Sequence, residues 1–247
     1  MGKDRPGRSA EESHLTPRRH GTHGRRLGRP LRRGRREALT EWLPKLRVEL
    51  PYFGLLDPHD LFSGSIQRIW LEIGAGNGDH AVWQAEANPD TGVIAVEPFV
   101  NGVANLAAQV RAKGLSNVRI VDGDVRPLID CLPPASLDRV FILFPDPWPK
   151  RRHWRRRIVN RAVLDEIARR MRVGAELRIA TDHQDYLVWM LQHLRQHPAL
   201  RWSPKSADDW RRRPDDWPET RFEAKGAEAG RRSTYLTLTR VGYGDGY

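Results

Sequence analysis

The sequence predicts an α/β protein built on a doubly wound, mostly parallel sheet with helices on both faces. Three observations predict it. From residue 68 onward, short Val- and Ile-rich runs alternate with longer amphipathic stretches, the pattern of parallel strands joined by crossover helices. A glycine-rich turn at residues 74–78 follows the first of these runs, where an open sheet binds its ligand. Residues 233–240 alternate apolar and polar side chains, which reads as a half-buried, antiparallel C-terminal strand.

The elements follow in order. Residues 1–36 hold 12 Lys and Arg against three acids, with few apolar groups. A disordered basic tail is expected there, and the folded domain over 37–247. The apolar spacing of 38–50 predicts a helix that Thr40 caps and Pro44 limits. A strand is predicted at 68–73 (RIWLEI) and a helix at 79–87; then a strand at 91–97 and a helix at 99–114, ended by Gly114. A strand at 117–121, a short helix at 125–132, a strand at 137–143 and a helix at 156–171 follow. Residues 175–180 read as the fifth strand, and 184–197 as a helix with Trp189 and Met190 at core spacing. The polar, proline-interrupted stretch 210–219 (WRRRPDDWPE) reads as an exposed loop.

Of the 247 residues 39% are hydrophobic, enough for one sizeable core, and no apolar run reaches membrane-spanning length. The first ten residues lack the apolar core of a secretory signal, and Pro6 stands where a myristoylation signal wants Ser or Thr. A soluble cytoplasmic protein is therefore expected. The single cysteine, Cys131, excludes an internal disulfide and a cysteine-rich zinc site, and no metal is expected. The net charge of +11 is uneven: residues 1–36 carry +9, residues 150–161 hold seven Lys and Arg with no acid, and the remainder sums to −5. A mildly acidic body with two basic patches suits a polyanionic partner, because cations gain by releasing counterions from phosphates. A monomer and a homodimer are both compatible with the sequence.

Ligands of such sheets lie beyond the carboxyl ends of the strands, so the residues just after each strand are the candidates. Glu72 precedes Gly74, Gly76 and Gly78. A dinucleotide-binding turn wants glycine at position 79, where Asp79 stands. The acid and its glycines resemble instead the first motif of S-adenosylmethionine-dependent methyltransferases. That cofactor has no pyrophosphate, and its sulfonium and ammonium favour carboxylates. Glu97 lies 19 residues beyond Gly78, the place for an acid that accepts both ribose hydroxyls. Asp124 opens the helix after the third strand and suits the adenine amino group, with Asp122 its close rival. Asp146 ends the fourth strand within Phe144-Pro145-Asp146-Pro147-Trp148-Pro149. Three prolines fix φ around it, so little entropy is lost in ordering the loop. This order is near to, but distinct from, the Asp- or Asn-Pro-Pro-aromatic run of amino-group methyltransferases.

The run FPDPWPKRRHWRRRIV (144–159) occurs with LEIGAGNG (71–78), VEPFVNGV (96–103), GAELRIATDHQDYLVWM (174–190), TRFEAKGAEAGRRSTYL (220–236) and, in the tail, GRRLGRPL (24–31). Together these resemble the tRNA (guanine-N7)-methyltransferases over about residues 24–240. The resemblance implies the Rossmann-like fold of class I S-adenosylmethionine methyltransferases. It also implies methyl transfer to N7 of a guanine in the variable loop of tRNA. By the same resemblance Glu72, Gly74, Glu97, Asp124 and Asp146 contact S-adenosylmethionine, and Asp146 is also the catalytic acid. Lys150, Asp182, Thr220, Arg221, Phe222 and Glu223 would face the guanosine. Arg151, Arg152, Arg155, Arg156 and Arg157 would hold tRNA phosphates. Phe222 stands where the family often has Tyr, and Asn77 and His80 fill variable places of the first turn.

Structural roles compete at several positions. Trp148 is expected to pack the loop against the sheet, and His153 to meet phosphate or solvent. Asp182 or Thr181 would serve as a helix cap, and Thr220 with Glu223 has the spacing of a capping box. Rival functions are a different nucleic-acid or amino-group methyltransferase, a nucleotide-cofactor oxidoreductase, and an RNA-binding protein without catalysis. The Asp146-Pro147-Trp148 order and residues 220–226 disfavour the first, Asp79 the second, and the intact acids the third.

Overall fold

The computed structural model describes residue 24 and residues 26–242; residues 1–23, most of the expected tail, lie outside the described residues. Helical structure comes first, as α1 (Arg33–Glu37), a π-helical turn (Ala38–Trp42) and α2 (Leu43–Leu46). Then β1 (Arg68–Ile73), α3 (Asp79–Ala87), β2 (Thr91–Val96), α4 (Val100–Lys113), β3 (Val118–Val121), α5 (Val125–Cys131) and β4 (Leu137–Leu143) alternate. After them come α6 (Arg161–Arg170), β5 (Met171–Thr181), α7 (Gln184–Arg195), β6 (Leu200–Trp202), α8 (Asp208–Arg211), α9 (Arg221–Glu228) and β7 (Thr234–Arg240).

The strands form one sheet of order β3-β2-β1-β4-β5-β7-β6. The pairs from β3 to β5 are parallel, and β7 runs antiparallel to both β5 and β6. All of β2 and all of β1 beyond Arg68 is buried, as strands covered by helices on both faces must be. One core cluster gathers Leu71, Ile94, Ile142 and Ile179 with residues of α5, α6 and α7, and a second gathers Val93 and Ala95 with α3 and α4. Among the described residues no helix is long and apolar enough to cross a membrane.

The structure departs from expectation at several places, and Thr40 is one: it caps no helix but lies inside the π-helical turn, its hydroxyl donating to the Arg36 carbonyl at 3.2 Å, because the helical segment already begins at Arg33. The chain is already docked before residue 37: the Val100 N–H donates to the Arg26 carbonyl, and Asn101 bonds both the Gly28 N–H and the Arg29 carbonyl. The helix expected over 38–50 stops at Leu46, because the Val48 N–H turns to the Ile120 carbonyl and the chain joins the edge of β3. The helix expected over 156–171 begins at Arg161, where the Asn160 side chain accepts the Val163 N–H; Arg151–Arg156 forms a 3-10 turn instead. Residues 210–219 are not a free loop. Trp217 is buried between His80, Phe141 and Tyr235, and the Asp216 carboxylate pairs with Arg178 at 2.8 Å.

Candidate active site

The carboxyl ends of β1, β2, β3 and β4 open on a cleft of about 570 Å³, within the usual range for a small-molecule site. It sits where the chain reverses its direction of winding, with β2 on one side of β1 and β4 on the other. Glu72 and Gly74, Glu97, Asp124 and Asp146 each leave a different strand, and all five line this cleft. Thr220, Arg221, Phe222 and Arg156 line it too.

The floor is the glycine turn. Gly74, Gly76 and Gly78 have φ of +80°, +57° and +89°, a region that L side chains avoid. The N–H groups of Gly74 and Ala75 donate to the Val96 carbonyl, which lays the turn across the end of β2. A further glycine, passed over in the sequence, completes the fit. A Cβ at Gly102 would stand 2.5 Å from the Gly76 carbonyl oxygen and 3.0 Å from Glu97 Cγ. Its place one turn into the helix after β2 was the available signal.

Glu97 is buried and accepts the N–H groups of Gly76 at 2.6 Å and Phe99 at 2.7 Å. Burial nonetheless pushes its pKa up to about 7; the two hydrogen bonds oppose the shift, and the nearby charges of Asp146 and Glu72 add to it. Asp124 caps α5 by accepting the Arg126 N–H at 2.9 Å and pairs with the Arg126 guanidinium at 2.9 Å. Its rival Asp122 pairs with Arg47 and is not part of the cleft. Glu72 is held from behind by His80, whose Nδ1 lies 2.8 Å from its carboxylate, both groups being buried.

Asp146 lies between two aromatic residues in the left-handed region, Phe144 at φ +48° and Trp148 at φ +43°. Bulky side chains adopt that conformation at a cost of order 1–3 kcal/mol each, and such strain tends to gather at functional sites. The Phe144 N–H donates to the Ala180 carbonyl, so the loop starts from the β4–β5 ladder. Phe144 also meets Phe222 at the cleft mouth, with ring centres 5.2 Å apart.

The basic run divides. Arg151, Arg152 and Arg155 are exposed, and the Arg156 guanidinium lies 4.9 Å from the centre of the Trp148 ring. Arg157 is 1% exposed, with its guanidinium 4.8 Å from the ring centres of Trp154 and Tyr186 and 5.1 Å from Trp189; its Nε–H donates to the Pro147 carbonyl at 2.9 Å. A cation so enclosed cannot meet an RNA phosphate, and the expectation for Arg157 is corrected accordingly: it ties the Asp146 loop to α7.

Three expected substrate residues stand outside the cleft. Lys150 is exposed at the start of the 3-10 turn. Asp182 pairs with Arg231 at 2.6 Å under α9, and His183, not Asp182 or Thr181, caps α7. Glu223 is buried, accepts from the Tyr235 hydroxyl and completes the capping box with Thr220. Glu223 therefore shapes the site by fixing where Thr220, Arg221 and Phe222 emerge, and its expected contact with guanosine gives way to that role.

The donor set suits S-adenosylmethionine. Four acids from four strand ends face one cavity, and α3 opens with the carboxylate of Asp79, whose charge would repel a pyrophosphate at that helix start. Glu97 keeps lone pairs for hydroxyl donors, and Gly74 and Gly76, with open space where a Cβ would stand, admit a ligand against the backbone.

Comparison with known proteins agrees. A family model described as "Putative methyltransferase" matches residues 66–236. A tRNA (guanine-N(7)-)-methyltransferase of Rhodospirillum rubrum is 47% identical over 221 residues, covering 88% of this chain and 87% of that protein. One from Mesorhizobium japonicum is 42% identical over 238 residues, covering 96% and 98%. Among solved structures, an antibiotic-related methyltransferase matches with a TM-score of 0.52 at 18% identity, covering 72% of this chain and 90% of that one. The 16S rRNA methyltransferase KamB matches with a TM-score of 0.50 at 18% identity, over the same shares of the two chains. These structural likenesses show the class I methyltransferase fold alone. With the fold, the cleft and relatives that match nearly end to end, the chain belongs to the tRNA (guanine-N7)-methyltransferase family.

Proposed function

We propose that this protein transfers the methyl group of S-adenosylmethionine to N7 of a guanine in the variable loop of tRNA, giving N7-methylguanosine, and does so in the cytoplasm. The observation that carries this reading is Asp146, held between Phe144 and Trp148 on the same cleft as Glu72, Glu97 and Asp124.

S-adenosylmethionine supplies an electrophilic methyl group on a sulfonium. Guanine N7 carries an in-plane lone pair and no hydrogen, so no side chain has to remove a proton before attack. The protein's task is then to align acceptor with donor and to stabilise the positive charge that moves onto the purine. Glu97 binds by accepting from the ribose hydroxyls, Asp124 by accepting from the adenine amino group, and Glu72 by facing the cationic end of the cofactor. Asp146 accepts from the N1–H and amino edge of the guanine, and its charge favours the cationic product. Phe144 and Phe222 offer apolar ring faces at the mouth, with Thr220 and Arg221 beside them. Arg151, Arg152, Arg155 and Arg156 hold the RNA backbone, while Arg157 keeps the Asp146 loop in place through Pro147.

The test is to incubate tRNA with S-adenosylmethionine carrying an isotope-labelled methyl group and read the nucleosides by mass spectrometry. Label in N7-methylguanosine is expected; label only in another nucleoside contradicts the reading.

A further inference from the structure

His80 fills a variable place of the glycine turn by sequence, yet it is buried directly behind Glu72. Its Nδ1 lies 2.8 Å from the Glu72 carboxylate, and its Nε2 lies 3.1 Å from the side-chain nitrogen of Gln84, one turn along α3. The orientation of the Gln84 amide is fixed independently. Its nitrogen donates to the Asp216 carbonyl at 2.8 Å, and its oxygen accepts from the Asn88 amide at 3.4 Å. An amide nitrogen only donates, so the His80 Nε2 that faces it must present a lone pair. A neutral imidazole then carries its one proton on Nδ1, and that N–H donates to Glu72. Glu72 is thus an acceptor in this chain, with no second proton nearby to cancel its charge.

From this geometry we infer that His80, locked as the neutral Nδ1–H tautomer by Gln84, is a positioning residue: it holds Glu72 as an anion and so makes the cleft select the cationic cofactor over its demethylated product. This rests on the methyltransferase reading above. Loss of the methyl group turns a sulfonium into a neutral thioether and lowers the ligand's charge by one. A cleft lined by Glu72, Glu97, Asp124 and Asp146 favours the more positive partner, and Glu72 contributes to that preference only while it keeps its charge. The groups that face His80 are Glu72 from β1, Gln84 from α3, and the rings of Phe141 and Trp217. Among them only the Glu72 carboxylate favours a second proton on the ring, and the Gln84 amide nitrogen, which faces Nε2 and can only donate, leaves that proton no place.

Two measurements on the full chain test this. In ¹⁵N-labelled protein, the His80 ring, assigned by its loss in His80→Asn, is expected to show a pyrrole-type Nδ1 and a pyridine-type Nε2 at neutral pH. A doubly protonated ring, or the opposite tautomer, overturns the proposal. In calorimetry with S-adenosylmethionine and S-adenosylhomocysteine, His80→Leu is expected to reduce the preference for the sulfonium ligand about tenfold. His80→Asn, whose side-chain nitrogen sits near the place of Nδ1, is expected to restore much of it. Equal weakening of both ligands by His80→Leu without rescue by His80→Asn marks a merely structural role and overturns the proposal; unchanged affinities do the same. If wild-type protein binds neither ligand, the methyltransferase reading fails instead, while the tautomer measurement still stands on its own.

Discussion

Glu97 is the acid whose protonation is most exposed to experiment. In the unfolded chain it ionises near 4.5, and in the folded chain near 7. Between those values the folded state binds the extra proton, so the contribution of Glu97 to stability falls as pH rises from about 4.5 to about 7 and is constant on either side. A ligand that donates hydroxyl hydrogens favours the ionised form and reverses the balance once bound. Affinity for S-adenosylmethionine is therefore expected to rise about tenfold between roughly pH 6 and pH 8, with proton release seen by calorimetry in buffers of different ionisation enthalpy. Glu97→Gln should flatten this profile, and a flat wild-type profile would show that Glu97 does not titrate against the ligand. At Asp146 the expected outcome is a split: Asp146→Ala leaves tRNA affinity nearly unchanged while turnover drops by about 10²-fold or more. Near-normal turnover would remove Asp146 from the chemistry. Arg157→Lys keeps the charge but loses the planar face packed among Trp154, Tyr186 and Trp189. It is expected to lower kcat with little change in cofactor affinity, which separates a loop-positioning role from binding.

At the scale of elements, the strands and the helices between them were legible because each carries one period of apolar residues and one punctuation mark. Gly114 stands in the left-handed region at the end of α4, and Asp124 caps α5, as their residue types suggest. The misreadings have a common cause in tertiary contacts. Residues 38–50 have helical spacing to the end, but the edge of β3 offers Val48 a backbone partner that the helix cannot match. Within 151–157 five arginines do different things, since only the surrounding rings decide that Arg157 goes inside. Residues 210–219 read as polar because the anchoring groups, Asp216 and Trp217, gain their partners from distant elements, β4, β5, β7 and α3. Close packing of turn and helix gives a test at this scale. Gly102→Ala places a methyl group against backbone that cannot retreat, so a loss of about 1–3 kcal/mol in stability and a marked loss of cofactor affinity are expected in thermal and calorimetric titrations. An undisturbed variant would mean that the turn is looser than its contacts imply.

Over the whole molecule, the four acids could be found from sequence because a parallel sheet brings the ends of sequence-distant strands to one edge. Their partners His80, Gln84 and Arg126 were not found, because hydrogen bonding between facing side chains leaves no period in the chain. The sheet thus gathers anionic groups within the cleft, and the 3-10 turn after β4 carries exposed cations next in sequence to Arg156, which lines that cleft. A small cation is favoured inside and a polyanion outside. Each exposed arginine that meets a phosphate should contribute to the salt dependence of binding: Arg155→Ala is expected to weaken all tRNAs similarly and to lower the slope of log affinity against log salt by about one. The proposal that reaches furthest is the chemical one, that the accepting atom is N7. It is tested most directly with two tRNA transcripts that differ only at the variable-loop guanine, one natural and one carrying 7-deazaguanine, in which a C–H replaces N7. With labelled S-adenosylmethionine, the natural transcript should take up label and the 7-deaza transcript none. Equal labelling of both would contradict methylation of that nitrogen.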